Sequence, residues 1–131
     1  MNIELFDKWF DFFSSLSSGK RKGFKQSELP FEKEEMDEID VLNIAMIILV
    51  KYHNGDIDAM IEIDRKRCFD DEDNLSNYDN WMISIYLKKK IQEHPMNKAR
   101  IFETVDNIEN EPMGKELIQE ILDLYQGKFK V

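Results

Sequence analysis

The chain has 131 residues with 27 acidic and 18 basic side chains, so its formal net charge at pH 7 is −9. A chain of this length is expected to form one domain that buries roughly two-thirds of the surface exposed when unfolded. The negative charge repels nucleic-acid phosphates and anionic membranes and favours basic proteins as partners. We therefore expect no nucleic acid and no membrane among the partners.

The start of the chain carries no signal for secretion. Residues 1–17 lack the basic beginning of a signal peptide and contain acids at Glu4, Asp7 and Asp11. The single cysteine, Cys68, permits no internal disulfide bond, as is usual in a reducing compartment. Both features predict a cytoplasmic protein.

The first predicted helix, residues 2–17, is amphipathic. Its apolar side chains cover about half of the circumference, and five of them are aromatic. Packing in the core is favoured over a docking site for a partner. The apolar set is Leu5, Phe6, Trp9, Phe10, Phe12, Phe13 and Leu16. Residues 17–30 then predict a solvated loop with a basic cluster, for which a phosphate or self-association contact is the alternative.

The second predicted helix, residues 31–53, contains the most apolar stretch of the chain. Val41 to Val50 has only one polar residue, Asn43. This stretch is too short for a membrane span, which needs about 20 apolar residues. It predicts a central helix that is covered all round, with Leu42 and Leu49 in the core; a buried strand is the alternative.

Six acids stand at the start of this second helix. The helix dipole accounts for part of them, and the rest are compatible with either a solvated face or a binding face. They are Glu32, Glu34, Glu35, Asp37, Glu38 and Asp40. His53-Asn54-Gly55 predicts the end of the helix.

A third helix, capped by Asp56, is predicted to reach residue 69, with an acidic loop after it. The loop contains Asp70, Asp71, Glu72 and Asp73. It does not match a calcium loop, because Leu75 and Ser76 stand where an Asx residue and a glycine are needed.

Three more helices are predicted at about 77–93, 96–108 and 112–125. Their apolar sets are Trp81, Met82, Ile85, Tyr86 and Ile91; Ile101, Phe102, Val105 and Ile108; and Leu117, Ile118, Ile121, Leu122, Leu124 and Tyr125. Glu116, Glu120 and Asp123 fall within about 60° of one another on the flank of the last helix. No strand-like alternation of useful length is present. The sequence predicts an all-α, single-domain bundle of five or six helices around the central helix.

No catalytic or metal-binding motif is recognisable. His53, His94 and Cys68 are the only soft ligands, and their spacing is not that of a metal site. Gly-rich phosphate loops, nucleophile elbows and zinc-protease motifs are missing from the sequence. We expect no enzyme activity, no metal and no cofactor.

The acidic clusters at 32–40, 70–73 and 103–123, on a small helical chain without catalytic motifs, resemble the acidic immunity proteins of bacterial toxin–immunity systems. These include the systems of colicins and of contact-dependent growth inhibition. The resemblance implies a cytosolic inhibitor that binds a cognate toxin domain, commonly a nuclease, at its active site or an adjacent surface. An acidic surface suits this role, because nuclease substrate clefts are positively charged.

Within this interpretation the partner-binding candidates fall into three clusters. The first is Asp70, Asp71, Glu72 and Asp73, the second is Glu34, Asp37 and Glu38, and the third is Glu116, Glu120 and Asp123. The expected partner is a basic protein, and the free protein is expected to be a monomer. Two alternatives remain open: a nucleic-acid-mimicking phage inhibitor, and a helical protein-interaction module with no inhibitory role.

Overall fold

The computed structural model describes residues 2–14, 31–70 and 75–129, and these ranges contain six α-helices and no strand. The helices are α1 Ile3–Ser14, α2 Lys33–Ile47, α3 Ile57–Asp70, α4 Leu75–Glu93, α5 Pro95–Asn110 and α6 Gly114–Phe129. A π-helical segment, Ile48–Tyr52, follows α2 directly. The prediction of an all-α fold with five or six helices is confirmed. The predicted basic loop at 17–30 lies outside the described residues.

The chain divides into two compact units, residues 2–43 and residues 44–131. In the first unit the apolar face of α1 is buried, with Leu5, Phe6 and Trp9 at most 4% exposed. The side chain of Asn2 accepts a hydrogen bond from the backbone N–H of Leu5 at 3.0 Å and so caps α1. The part of the stripe formed by Phe6, Trp9 and Phe10 is therefore core, as favoured from the sequence.

The α2 helix begins at Lys33, two residues later than predicted. The backbone N–H of Glu32 donates to Glu35 Oε1 at 3.0 Å, so one acid of the cluster at the start of the helix caps it. Leu42 is fully buried, but Val41 beside it is 46% exposed. The prediction of a helix covered all round is wrong here. Apolar side chains on every side of a helix permit its full burial. Burial also requires other segments of the chain to pack against every side.

The second unit contains the π-helical segment, in which Ile48, Leu49 and Val50 are buried. The predicted stop follows: Asn54 and Gly55 have positive φ angles of 53° and 84°. The N–H of Gly55 donates to the carbonyl of Leu49 at 2.8 Å. Residues 31–53 are thus not one regular α-helix. The last turn widens into a π-helix, a rare conformation that is frequent at functional sites.

Consecutive helices of the second unit pack against each other, from α3 on α4 to α5 on α6, and the π-helical segment packs on α5 and α6. Asp56 caps α3 by accepting from the N–H of Ala59 at 3.1 Å, as predicted. The buried core contains Met60, Ile83, Tyr86, Leu87, Ile101, Val105, Ile118 and Tyr125.

Two predicted core faces need correction. Ile85 is 38% exposed, and α4 buries Ile83, Ser84 and Leu87 on its inner side instead. In α6, Leu117 and Leu124 are 48% and 64% exposed. Both helices carry apolar residues on more than one side, so periodicity alone does not fix which side faces the core. None of the described helices is long and apolar enough to cross a membrane.

Candidate functional site

The third acidic cluster lies on one exposed face of α6. Glu116, Glu120 and Asp123 are all exposed. At 100° per residue they fall within about 60° of one another. Asp123 Oδ1 accepts a hydrogen bond from Gln119 Nε2 at 2.9 Å. The structure therefore brings these three carboxylates together, as the sequence predicts.

Exposed apolar side chains adjoin these acids. Leu117 and Leu124 are separated by two helical turns and lie within about 20° of each other. Met113, at the N-terminal end of α6, is 76% exposed. The outer side of α6 is therefore both acidic and apolar, whereas Ile118 and Tyr125 on the inner side are only 5% and 4% exposed.

The second acidic cluster lies on α2. Glu34, Asp37 and Glu38 are exposed. Glu38 Oε2 accepts a hydrogen bond from Asn2 Nδ2 at 3.1 Å. Desolvation and the neighbouring Asp37 carboxylate raise the pKa of Asp40. The acids of α2 thus repel one another, as like charges one helical turn apart do.

The first acidic cluster falls largely outside the described residues. Asp70 is the last residue of α3, and not part of a loop as predicted. Asp71, Glu72 and Asp73 lie outside the described residues. This cluster remains a sequence prediction.

A buried polar network joins the π-helical end of the second unit to three helices. Tyr125 of α6 donates its hydroxyl hydrogen to Asp64 Oδ1 of α3 at 3.0 Å. His53 Nε2 lies 3.0 Å from the same hydroxyl. Ser84 Oγ of α4 lies 2.5 Å from Asp64 Oδ2 and 2.9 Å from the carbonyl of Asn80. All four network residues, His53, Asp64, Ser84 and Tyr125, are at most 8% exposed.

The hydrogen bonds determine the tautomer of His53. The Tyr125 hydroxyl has one hydrogen, which goes to Asp64, so its oxygen accepts from His53 and Nε2 carries the hydrogen. Burial lowers the pKa of His53 and, together with the Asp64 charge, raises that of Tyr125. Burial also raises the pKa of Asp64, although its hydrogen bonds to Ser84 and Tyr125 oppose the shift.

Aromatic and cationic groups hold the ring of Tyr125 in place. The Arg67 guanidinium carbon lies 4.0 Å from the ring centroid. The Tyr52 ring meets it edge-on, with centroids 4.8 Å apart. Because Ser84 is fully buried and Tyr125 nearly so, a substrate has no direct access to these hydroxyls. The network acts as an anchor that fixes α6 to α3 and to the π-helical segment.

No protein-family model, curated protein or solved structure matches this chain.

Within the described part of the chain, no group of three or more His, Cys, Asp or Glu residues could hold a metal ion. Cys68 is a partly exposed free thiol.

Sequence reasoning missed the buried network. Aspartate and serine are mostly exposed in folded proteins, so Asp64 and Ser84 would ordinarily be placed on the solvent side of their helices. A signal was present, since Asp64 follows the buried Met60 by one helical turn and therefore shares its face. Which tyrosine or histidine would meet that carboxylate depends on the packing of four segments that are distant in sequence.

Proposed function

We propose that this protein is an inhibitor of the toxin–immunity type, which binds a basic nuclease toxin domain through an acidic surface in the cytoplasm. The observation that carries the proposal is the exposure of Glu116, Glu120 and Asp123 on one face of α6, in a chain of net charge −9. The proposed inhibitor is a monomer when free, and it needs neither a cofactor nor a metal.

The physical basis is electrostatic complementarity. A nuclease binds phosphates in a positively charged cleft. A helix face with three carboxylates is negatively charged, as the phosphates are, and is therefore attracted to the same cleft. Opposite net charges accelerate encounter, and groups buried on docking then determine the rate of dissociation. Binding over or beside the cleft excludes the nucleic-acid substrate.

Among the acidic clusters, the one on α6 is the best supported. Its carboxylates adjoin Leu117 and Leu124, whose burial on binding adds a contribution that charge alone does not supply. Productive interfaces combine an apolar centre with a polar rim. The α2 set, Glu34, Asp37 and Glu38, is the second candidate.

The same leucines favour a protein partner over mimicry of nucleic acid. A mimic presents carboxylates with the spacing of phosphates over an extended surface. Side chains that are 48% and 64% exposed, such as Leu117 and Leu124, would interrupt that array without replacing a phosphate.

The test begins with affinity capture by the tagged chain from a lysate of the organism that encodes it. The captured protein is identified, purified and assayed for nuclease activity while the untagged chain is titrated in. We expect a basic nuclease that is fully inhibited at about one equivalent of the chain, as tight one-to-one binding requires. A captured protein without nuclease activity, or with activity that the chain leaves unchanged, contradicts the proposal.

A charge-matched pair of triple variants tests the acidic surface. The α6 variant carries Glu116→Gln, Glu120→Gln and Asp123→Asn. The control variant removes three exposed acids from three other helices by Glu4→Gln, Glu62→Gln and Asp79→Asn. We expect inhibition to weaken at least about tenfold in the α6 variant only. Equal losses in both variants would show that net charge, and not this face, carries binding.

A further inference from the structure

We infer that the partner contacts this protein through a basic, amphipathic helix that packs along α6. This inference rests on the proposed function and specifies the partner surface that the α6 face accepts. The apolar part of that face is called the α6 ridge and consists of Leu117 and Leu124, with Met113 at its N-terminal end.

The spacing of the ridge suits a second helix. Leu117 and Leu124 are seven residues apart, which places them about 10.5 Å apart along the axis and on one line. Single exposed apolar side chains are ordinary. Two in line on the exposed flank of a helix, about 100° round from the buried Ile118 and Tyr125, form a seam of the kind against which helices pack.

Met113 extends the ridge from the turn between α5 and α6, which is closed by a hydrogen bond from the N–H of Gly114 to the carbonyl of Glu111 at 2.9 Å. Its φ angle is 64°, which lies in the left-handed region that residues other than glycine and asparagine rarely adopt. It is also 76% exposed, so packing within this chain does not compensate for that conformation. Methionine is well suited to binding surfaces because its flexible thioether adapts to irregular partners.

The acidic side chains beside the ridge determine the sign of the charge expected on the partner. Glu120 lies next to the leucines around the helix, and Glu116 and Asp123 continue the acidic strip away from them. Lys115 lies beyond that strip, on the side away from the leucines. A complementary helix has an apolar stripe with lysines and arginines along its flank. A second copy of this chain would instead bring acids against acids.

The inner side of α6 makes the ridge rigid. The Tyr125 hydroxyl donates to Asp64, and the Tyr125 ring lies under the Arg67 guanidinium. These contacts fix the rotation of α6 about its axis and hence the direction of Leu117 and Leu124. A surface held in its binding geometry before contact loses less entropy on binding.

The test uses three synthetic helical peptides of about 18 residues, or five turns. The first has a leucine stripe flanked by lysine and arginine, the second is a scramble of the same composition, and the third has glutamate in place of the bases. Calorimetry gives Kd, and backbone amide NMR shifts locate the site. We expect the first peptide to shift residues 113–127 and to bind at least about tenfold more tightly than the other two.

Variants then test the ridge itself. Leu117→Ser with Leu124→Ser should weaken binding at least about tenfold. The matched control is Met96→Ser with Phe69→Ser, which removes apolar side chains of similar exposure, 49% and 60%, from α5 and α3. Met113→Gly relieves the left-handed backbone, so it should weaken binding while the Tm stays the same or rises. That combination excludes unfolding as the cause of weaker binding.

Several results would overturn the inference. They are equal binding of the scrambled peptide, shifts that map away from α6, unchanged affinity of the double-serine variant, and self-association of the free chain through α6. The proposed function fails separately. If the double-serine variant and the parent inhibit a captured nuclease equally well, only the ridge is contradicted. Peptide binding on α6 without any inhibited nuclease contradicts the function alone.

Discussion

Tyr125 contacts three of the buried polar residues, His53, Asp64 and Arg67. Its hydroxyl donates to Asp64 and accepts from His53, and its ring contacts Tyr52 and Arg67. Hydrogen bonds among buried groups strengthen one another in a medium of low dielectric constant, and an unpaired member is costly. Removal of one hydroxyl should therefore affect both neighbours.

We expect Tyr125→Phe to lower the free energy of unfolding by about 1–3 kcal/mol. The ring contacts persist in this variant, whereas an Asp64 oxygen and the His53 nitrogen lose their partner. The control is Tyr78→Phe, at a tyrosine that is 49% exposed, which should change stability by less than about 0.5 kcal/mol. Urea unfolding measures both, and equal effects would show that the network contributes little.

His53 makes stability depend on pH. Burial holds its pKa in the folded protein below the value of about 6.5 in the unfolded chain. As the pH falls through about 6.5, the unfolded chain binds a proton before the folded protein does, so stability decreases. We expect His53→Gln to reduce this loss of stability between about pH 7.5 and 5.5, measured by urea unfolding. An identical pH dependence in parent and variant contradicts the assignment of this effect to His53.

Asp64 affects stability at lower pH than His53 does. Its pKa in the folded protein is raised, so the free energy of unfolding falls as the pH rises above the ordinary aspartate value of 3.8.

At the scale of elements, the turn between α5 and α6 depends on a close backbone approach. A Cβ atom at Gly114 would lie 1.9 Å from the carbonyl oxygen of Ile108, which is backbone and cannot rotate away. At Gly127, near the other end of α6, a Cβ would meet nothing within 4 Å. The two glycines of one helix thus have opposite roles.

We expect Gly114→Ala to lower stability by about 3 kcal/mol, near the upper end of overpacking effects. Gly127→Ala should instead raise stability by up to about 1 kcal/mol, because alanine is the better helix former. Thermal unfolding of the two variants gives the comparison. A loss of similar size at both positions would mean that helix propensity, and not the close approach, determines the effect.

The sequence predicted five or six helices, in the observed order and with approximate bounds, because most of them have a periodic apolar set or a recognisable cap. Asp56 is an example, since its capping depends only on residues three positions away. Burial was less predictable. Val41 and Leu42 are adjacent and similar in character, yet one is 46% exposed and the other fully buried. The difference depends on which neighbours are present.

The candidate site shows the same division. Sequence spacing predicted that Glu116, Glu120 and Asp123 share one face, because all three belong to a single helix. Leu117 and Leu124 were assigned to the core as members of the apolar stripe of this helix, although they are 48% and 64% exposed. That error concealed the ridge, so the apolar half of the proposed surface became visible only in the structure.

At the scale of the whole molecule, charge is the dominant feature. Nine more acids than bases repel one another in the folded chain and less so when it is unfolded. Ion pairs such as Lys51 with Glu109, at 2.5 Å, and Lys88 with Asp58, at 2.7 Å, oppose this repulsion locally. Ion pairs at the surface contribute little to stability, because solvent screens them and ordering two long side chains costs entropy. We infer that net repulsion outweighs them.

Salt should therefore stabilise this protein. Between about 0.01 M and 0.1 M NaCl the screening length falls from about 30 Å to about 10 Å, which weakens repulsion across the molecule more than attraction within a close pair. We expect the Tm to rise over this range. The variant with Glu4→Gln, Glu62→Gln and Asp79→Asn has a net charge of −6, because 24 acids then stand against 18 bases. It should be more stable than the parent at low salt and should gain less on addition of salt. A Tm that falls with salt, or a neutralised variant that is less stable at low salt, would show that ion pairs outweigh the net repulsion.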